Sequence, residues 1–191
     1  MAKIKYGISN CWFAKATIAA NGSASYGTMK ALPGAVNLSL EQQGDRNDFF
    51  ADNVAYYTSV SNTGYEGDLE LAMIPDDFYK DILGYLVDTN GVLIENAGAD
   101  PVHFGLTFQV QTDTGSKRVV LYNCVAQRPS VEAATKEDTI EPQTETIPLR
   151  ITSIYLAAAD KDIVKASCED TQTTAYNTWN SSIYQPTTIT T

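Results

Sequence analysis

Apolar and polar residues alternate along much of the chain, a pattern that predicts strands buried on one face only. The alternation is clearest at residues 36–40, 69–73 and 104–110. Residues 119–125 differ, because they are apolar on both faces and so predict a central strand covered on each side. Many strands with short connections predict a mainly β fold, either a sandwich or a half-barrel.

One break in the alternation lies near residues 152–153. Ile147, Leu149 and Ile151 have one parity, whereas Ile154 has the other, which predicts a bulge or bend between them. Short Gly-containing motifs separate the other predicted strands and indicate turns: Asn21-Gly22, Pro33-Gly34, Asn62-Thr63-Gly64, Asn90-Gly91 and Asp113-Thr114-Gly115-Ser116.

A short helix that flanks the sheet is predicted at about residues 76–84. It follows Pro75, begins with Asp76 and Asp77 at its positive N-terminal end, and meets Gly84 where a C-cap residue is expected. A weaker helical turn is predicted at 174–183.

The length of 191 residues fits one domain, so we expect residues 1–191 to fold as a single unit with a frayed terminus at about 186–191. The longest apolar runs are much shorter than the roughly 20 residues that span a bilayer. The first residues are basic but lack an apolar region of about 7–15 residues, so a secretory signal is not expected.

The nucleophilic and metal-binding residue types give little sign of a reaction. Cys11, Cys124 and Cys168 are odd in number, widely spaced and flanked by apolar residues, which predicts reduced, buried thiols. His103 is the only histidine, so any catalytic triad or multi-histidine metal site requires it. Its place on the polar face of a strand favours a surface or interface histidine.

Two short acidic motifs have a chemical and a structural interpretation. Residues 113–115, Asp-Thr-Gly, match the signature of aspartic proteases, but their flanking strands favour a hairpin turn. Asp76, Asp77 and Asp81 could surround a cation, but their spacing suits the first turn of a helix and lacks the oxygen ligands of a calcium loop. We therefore predict no catalytic, cofactor-binding or metal-binding residues, and a protein that is not an enzyme.

The charge is distributed unevenly along the chain. The net charge of −10 argues against a surface that binds nucleic acid through its phosphates. Residues 1–40 contain four Lys and no acid, residues 41–100 contain thirteen acids and two bases, and the remainder contains ten acids and seven bases. The asymmetry fits a solvated face, or opposite poles that meet in an assembly.

A long loop is predicted at residues 43–53, between strands at about 35–42 and 54–61. It mixes acids with two adjacent phenylalanines, which a solvated loop rarely keeps unless they pack against something. We predict an interface loop that reaches another subunit, the alternative being a loop folded onto its own domain. The candidate interface residues are Asp45, Asp48, Phe49, Phe50 and Asp52.

Several long runs resemble the major tail protein family, the tail tube proteins, of siphophages that infect Gram-positive bacteria. Together they cover most of residues 1–150: ALPGAVNLSL at 31–40, FADNVAYY at 50–57, GYEGDLELAMIPDDF at 64–78, VLYNC at 120–124 and TKEDTIEP at 135–142.

The resemblance implies a tail-tube-like β-sandwich or half-barrel that assembles as hexameric rings stacked into a hollow tube. It implies a virion protein, assembled in the host cytoplasm, whose lumen DNA crosses during ejection without specific binding. The implied partners are further copies of the chain, the tape measure protein, and the tail terminator and distal tail proteins, with no membrane. The extra immunoglobulin-like module of some tail proteins is not expected here.

An acidic wall suits this role, because it repels phosphates and lets DNA slide. We expect the lumen to be lined by the polar face of strands in the 36–73 region, with Glu41, Glu66, Asp68 and Glu70 as the candidates. Two alternatives stay open: another structural protein, such as a secretion-device tube or a head-to-tail connector, and a β-sandwich module that binds cell-wall carbohydrate.

Overall fold

A computed structural model of the chain describes residues 3–44, 46–131, 133–135 and 142–187. The helices in these ranges are α1 (Asp76–Asp81) and α2 (Thr173–Thr178). The strands before α1 are β1 (Lys5–Ile18), β2 (Ala24–Tyr26), β3 (Lys30–Ala31), β4 (Ala35–Gln43), β5 (Arg46–Ala51), β6 (Val54–Val60) and β7 (Gly64–Leu71). Those after α1 are β8 (Leu86–Val87), β9 (Leu93–Ile94), β10 (His103–Thr112), β11 (Gly115–Ala126), β12 (Glu145–Thr152), β13 (Ile154–Leu156), β14 (Lys161–Ile163) and β15 (Lys165–Glu169).

One large antiparallel sheet dominates the fold and confirms the mainly β prediction. Its strand order is β2-β1-β10-β11-β12-β7-β4, with β3 paired to β1 and β15 paired to β11. Strands β1 and β4 are far apart in this order but contact each other, so the sheet curls into a half-barrel. Three smaller pairs, β5–β6, β8–β9 and β13–β14, lie outside it.

The concave face of the sheet encloses the main core and is covered at one end by α1. The ring of Phe78 on α1 is completely buried and meets Phe13 and Phe104 edge to face, with ring centroids 5.1 and 5.5 Å away. Edge-to-face contact is a favoured arrangement of aromatic rings. Leucine and isoleucine side chains from β7, β10, β11 and β12 complete this core.

The opposite face of the sheet is covered only over its central strands. There Trp179, which follows α2, and Ile183 pack against Ala14, Val120 and Tyr122 of β1 and β11. This confirms that β11 is buried on both faces, as its two-sided apolar pattern predicts. Within the described residues, the C-terminal segment packs on no residue of β12, β7 or β4 in this second core.

Other elements agree with the sequence-based expectations in position. Helix α1 ends near Gly84, whose φ of +73° is the left-handed conformation expected just after a helix. Helix α2 overlaps the weaker helical prediction and begins one residue earlier, at Thr173. Strand β12 ends at Thr152 and β13 begins at Ile154, where the parity changes. Most of the predicted frayed terminus, 186–191, lies outside the described residues.

The prediction of a loop at 43–53 is wrong, because most of this segment is strand β5. Residues 46–51 pair with β6, and the connection between the two strands is only the dipeptide Asp52-Asn53. The sequence assignment missed the strand because its first half is polar and charged, Arg-Asn-Asp, which are weak strand formers.

Candidate assembly surfaces

Strands β5 and β6 form a hairpin that continues the β4–β7 pair beyond the large sheet. The β4–β7 ladder ends at Gln43 and Gly64, and β5 pairs with β6 from Arg46 onward. Between the two ladders the strands come very close at Gly44, where an added Cβ would lie 1.9 Å from the carbonyl oxygen of Ser61. Glycine is therefore required at the base of the hairpin. At about 3.3 Å per residue, the six-residue strand β5 extends roughly 20 Å.

The hairpin turns through two residues whose backbone conformations fit a tight turn. Asp52 and Asn53 have φ values of +52° and +62°, and Ala51 pairs with Val54 on either side of them. Positive φ at both central positions is the mark of a type I′ turn, whose twist matches that of the flanking strands. Asp and Asn tolerate this conformation better than most residues do, which explains the dipeptide.

Large apolar side chains cover the hairpin without packing against the core. Phe50 and Tyr57 are each 64% exposed, Tyr56 is 74% exposed, and Val54 is also exposed. The register shifts between the pairs made by Phe49 and Phe50, so Tyr56 is an extra residue that bulges from β6. An isolated monomer rarely displays so many apolar groups together, so the hairpin is a candidate interface.

Four of the five predicted interface residues lie in this hairpin. Phe50 and Asp52 are exposed, and Asp48 is partly buried. Phe49 belongs to β5 through its backbone pairing with Tyr57. Asp45 lies outside the described residues. Tyr56 and Tyr57 are further candidates that the sequence analysis did not include, although a Tyr-Tyr pair beside a turn is a signal that could have identified them.

The four predicted lumen residues lie together on one exposed face. Glu66, Asp68 and Glu70 alternate along β7 and so project to the same side. Glu41 of β4 lies directly opposite Glu66 in the ladder. Like charges that face each other across two strands are destabilising. The placement of Glu41 opposite Glu66 is therefore unfavourable in the isolated chain.

The acidic face continues into a polar strip across β12, β11 and β10. Arg150 of β12 lies opposite Glu66 on the other side of β7. Further on, His103 Nδ1 lies 2.7 Å from Asn123 Oδ1, and Asn123 Nδ2 donates to Thr152 Oγ1 at 2.8 Å. Because the amide oxygen of Asn123 can only accept, Nδ1 of His103 is the protonated ring nitrogen. His103 is thus a hydrogen-bonded surface residue.

Lys3, Lys5, Lys15 and Lys30 are the basic residues of the N-terminal segment that acids of a hairpin from another copy could meet. Lys30 binds α1 of its own chain, with Nζ 2.7 Å from Asp81 Oδ2 and 3.7 Å from Asp77 Oδ2. The hydrogen bond to Asp81 raises the pKa of Lys30. Lys5 instead lies at the start of β1, near the hairpin base. Lys30 is therefore not among the free cations that a hairpin from another copy would meet.

The three cysteines are buried and the Asp-Thr-Gly motif lies in a turn. The three cysteines are free and buried, and burial raises the pKa of Cys11 to about 12 and also raises that of Cys124. Asp113 lies in the two-residue turn between β10 and β11 and accepts a hydrogen bond from the backbone of Lys3. Within the described residues, no cluster of His, Cys, Asp or Glu could hold a metal ion, and no helix is long and apolar enough to cross a membrane.

The chain is similar to a known protein family. A family model described as phage tail tube protein matches residues 1–191. A search of curated proteins finds no match.

Proposed function

The chain belongs to the phage tail tube protein family, and on that basis we propose that it assembles as hexameric rings stacked into a hollow tube through which DNA passes during ejection. Family membership itself establishes a structural component of the virion that assembles into a tube, in a family that is not enzymatic. The ring size, the DNA passage and assembly in the host cytoplasm belong to the proposal. So do the Gram-positive host and contact with tape measure, terminator and distal tail proteins.

The acidic face of β4 and β7 is the observation that supports this proposal most directly. Double-stranded DNA carries one negative charge per about 1.7 Å of its axis, so a wall of carboxylates repels it and leaves nothing for it to bind. The carboxylates of Glu41 and Glu66 oppose each other at a cost to the monomer, which a role in the assembled tube explains.

Strand β4 offers a way to close the ring. Within the described part of the chain it pairs with β7 on one side only, although it is nine residues long. A long unpaired edge invites another strand, and natural proteins usually cover such edges. Joining the edges of neighbouring copies would merge their sheets into one barrel, which is a closed ring with a lumen.

The purified protein provides the test of the proposal. Light scattering after size-exclusion chromatography, over a concentration series, should show a rise from the 20.8 kDa chain to six-fold species and longer polymers. Negative-stain images should show rings and tubes. A single monomeric species at every concentration contradicts the proposal, and rings with another subunit number overturn the hexamer alone.

A further inference from the structure

A second exposed apolar surface is formed by the β8–β9 hairpin. Its side chains Leu86, Val87, Val92 and Ile94 are all exposed, and Leu86 pairs directly with Ile94. We call these four residues the ledge. Short strands of two residues leave no periodic pattern in a sequence, so the ledge could not be predicted from alternation.

The loop that carries the ledge is held in one shape by Asp88. Its Oδ1 accepts hydrogen bonds from the backbone nitrogens of Asn90 and Val92, at 2.8 and 2.7 Å. These bonds favour the ionised carboxylate and lower the pKa of Asp88. The Asp88 side chain thus holds the turn in one conformation. The apolar side chains of the ledge therefore face solvent and need not rearrange before they bind a partner.

The segment following the ledge is anchored to the body of the protein. Arg128, just beyond the end of β11, places Nε 3.1 Å from Glu95 Oε1 and donates from Nη2 to the carbonyl oxygen of Asn96 at 2.6 Å. On the preceding side, the rings of Tyr79 and Tyr85 pack with centroids 5.0 Å apart. A surface fixed on both sides loses little conformational entropy when it binds a partner.

The ledge and the β5–β6 hairpin lie at opposite ends of strand β7. The hairpin precedes Gly64 at the start of β7, and the segment with α1 and the ledge follows Leu71 at its end. An eight-residue strand extends about 26 Å at 3.3 Å per residue, so the two apolar surfaces are well separated. They cannot satisfy each other within one copy.

We propose that the ledge is the acceptor surface for the β5–β6 hairpin of a second copy of this chain in the adjacent ring. The proposal rests on the tube function, because a tube needs a contact between two different surfaces that repeats along its axis. One end of each copy would supply the aromatic hairpin and the other end the apolar ledge. Each ring then retains a free hairpin end and a free ledge end, so the stack can grow.

The exposed aromatic area of the hairpin suits a small contact that is repeated around a ring. Phe50, Tyr56 and Tyr57 are about two-thirds exposed, and an aromatic side chain can bury about 150–250 Å², so the three together offer roughly 300–500 Å². That is less than the about 800 Å² per partner of a standard interface. Rings joined by several such contacts at once bind much more tightly than any single contact.

A groove at the seam between β1 and β4 is the competing acceptor. It has a volume of about 440 Å³ and is lined by Lys5, Leu40, Phe108 and Val110 among others. However, its lining runs from Lys5 at the start of β1 to Val36 near the start of β4, so the groove lies along the side of the sheet and not at either end of the molecule. A hairpin docked there would contact the side of another copy, beside the β4 edge that is proposed to close the ring, and would not join one ring to the next along the axis.

Mixing two defective variants tests the proposal. Phe50→Ser/Tyr57→Ser removes the hairpin surface and Leu86→Ser/Ile94→Ser removes the ledge, all at exposed positions. Each variant alone should form rings but no tubes. Their equimolar mixture should form pairs of rings and stop there, because each pair has one intact hairpin–ledge contact and two defective ends. Tubes formed by the ledge variant alone would overturn the proposal.

Disulfide trapping gives an independent measurement that does not depend on loss of assembly. A Phe50→Cys copy mixed with a size-tagged Val92→Cys copy should form a mixed disulfide under mild oxidation. The native cysteines are buried and should stay unreacted. Tyr6→Cys, exposed in the lining of the seam groove, is the matched control. A mixed disulfide with Tyr6→Cys, or with neither position, counts against the ledge.

These outcomes distinguish a failure of the ledge assignment from a failure of the proposed tube function. If the unmodified chain never polymerises, the proposed function fails together with the ledge. If it polymerises and the ledge variant, folded by circular dichroism, polymerises equally well, only the ledge assignment fails.

Discussion

The sheet body and the β5–β6 hairpin use similar residues in opposite ways. In the body, Phe78 is completely buried against Phe13 and Phe104. In the hairpin, Phe50 and Tyr57 are 64% exposed although they lie in a paired ladder. The apolar surface of the body is therefore removed from water on folding, whereas that of the hairpin stays in water in the isolated chain. Core aromatics should govern the stability of the monomer, and hairpin aromatics its assembly.

The largest expected effect is on the core. Phe78→Ala should lower the free energy of unfolding by about 3–5 kcal/mol, since it removes a large buried ring and leaves a cavity between two others. For a chain of this length, that corresponds to a fall in melting temperature of about 6–20 °C. Thermal melts followed by circular dichroism, at a concentration where the chain is monomeric, measure it. A shift below 2 °C would mean that α1 is not part of the cooperative core.

Substitutions in the hairpin should instead leave the stability of the monomer nearly unchanged and prevent assembly. Phe50→Ala/Tyr57→Ala should change the free energy of unfolding of the monomer by no more than about 0.5 kcal/mol, as exposed substitutions usually do. The same variant should fail to form tubes, because each aromatic is worth about 1.5–3 kcal/mol when buried in a contact. Melts and negative-stain images of this one variant decide the matter. A lower melting temperature would instead show that the hairpin packs on its own domain.

The contrast also shows what could be read from the sequence. The strands at 69–73 and 104–110 were predictable because they bury one face, which imposes alternation, although β7 ends at Leu71 and Met73 is exposed. Val36 was expected on the buried face but is exposed, because the register of β4 shifts between Ala35 and Asn37. The β5–β6 hairpin does not pack on a core that would impose alternation, so its sequence predicts a loop where β5 lies.

The candidate surfaces were predictable to different degrees for the same reason. The shared face of Glu66, Asp68 and Glu70 follows from alternation along one strand. The place of Glu41 beside them depends on the register between β4 and β7, which no local pattern specifies. The ledge could not be predicted as an acceptor surface, because that role depends on its position at the opposite end of β7 from the hairpin.

Substitutions in the acidic face should have the smallest effect on structure but a specific effect on DNA release. Glu41→Lys/Glu70→Lys should leave rings and tubes intact, because both side chains lie on a solvent-facing surface of the monomer and removing like charges relieves repulsion. If this face lines the lumen, lysines there attract phosphates, so DNA should leave phage particles carrying the variant more slowly. The delay should shrink as salt rises, because added ions screen the attraction.

Asp100→Lys/Asp162→Lys is the matched control for that experiment, since it makes the same change in charge at two exposed acids outside β4 and β7. The control should release DNA at the rate of the parent. Equal delays in both variants would mean that net charge alone slows ejection, and the lumen assignment would fail. Loss of tubes in the Glu41→Lys/Glu70→Lys variant alone would place the acidic face at a contact between subunits, where a reversed charge is buried and unpaired.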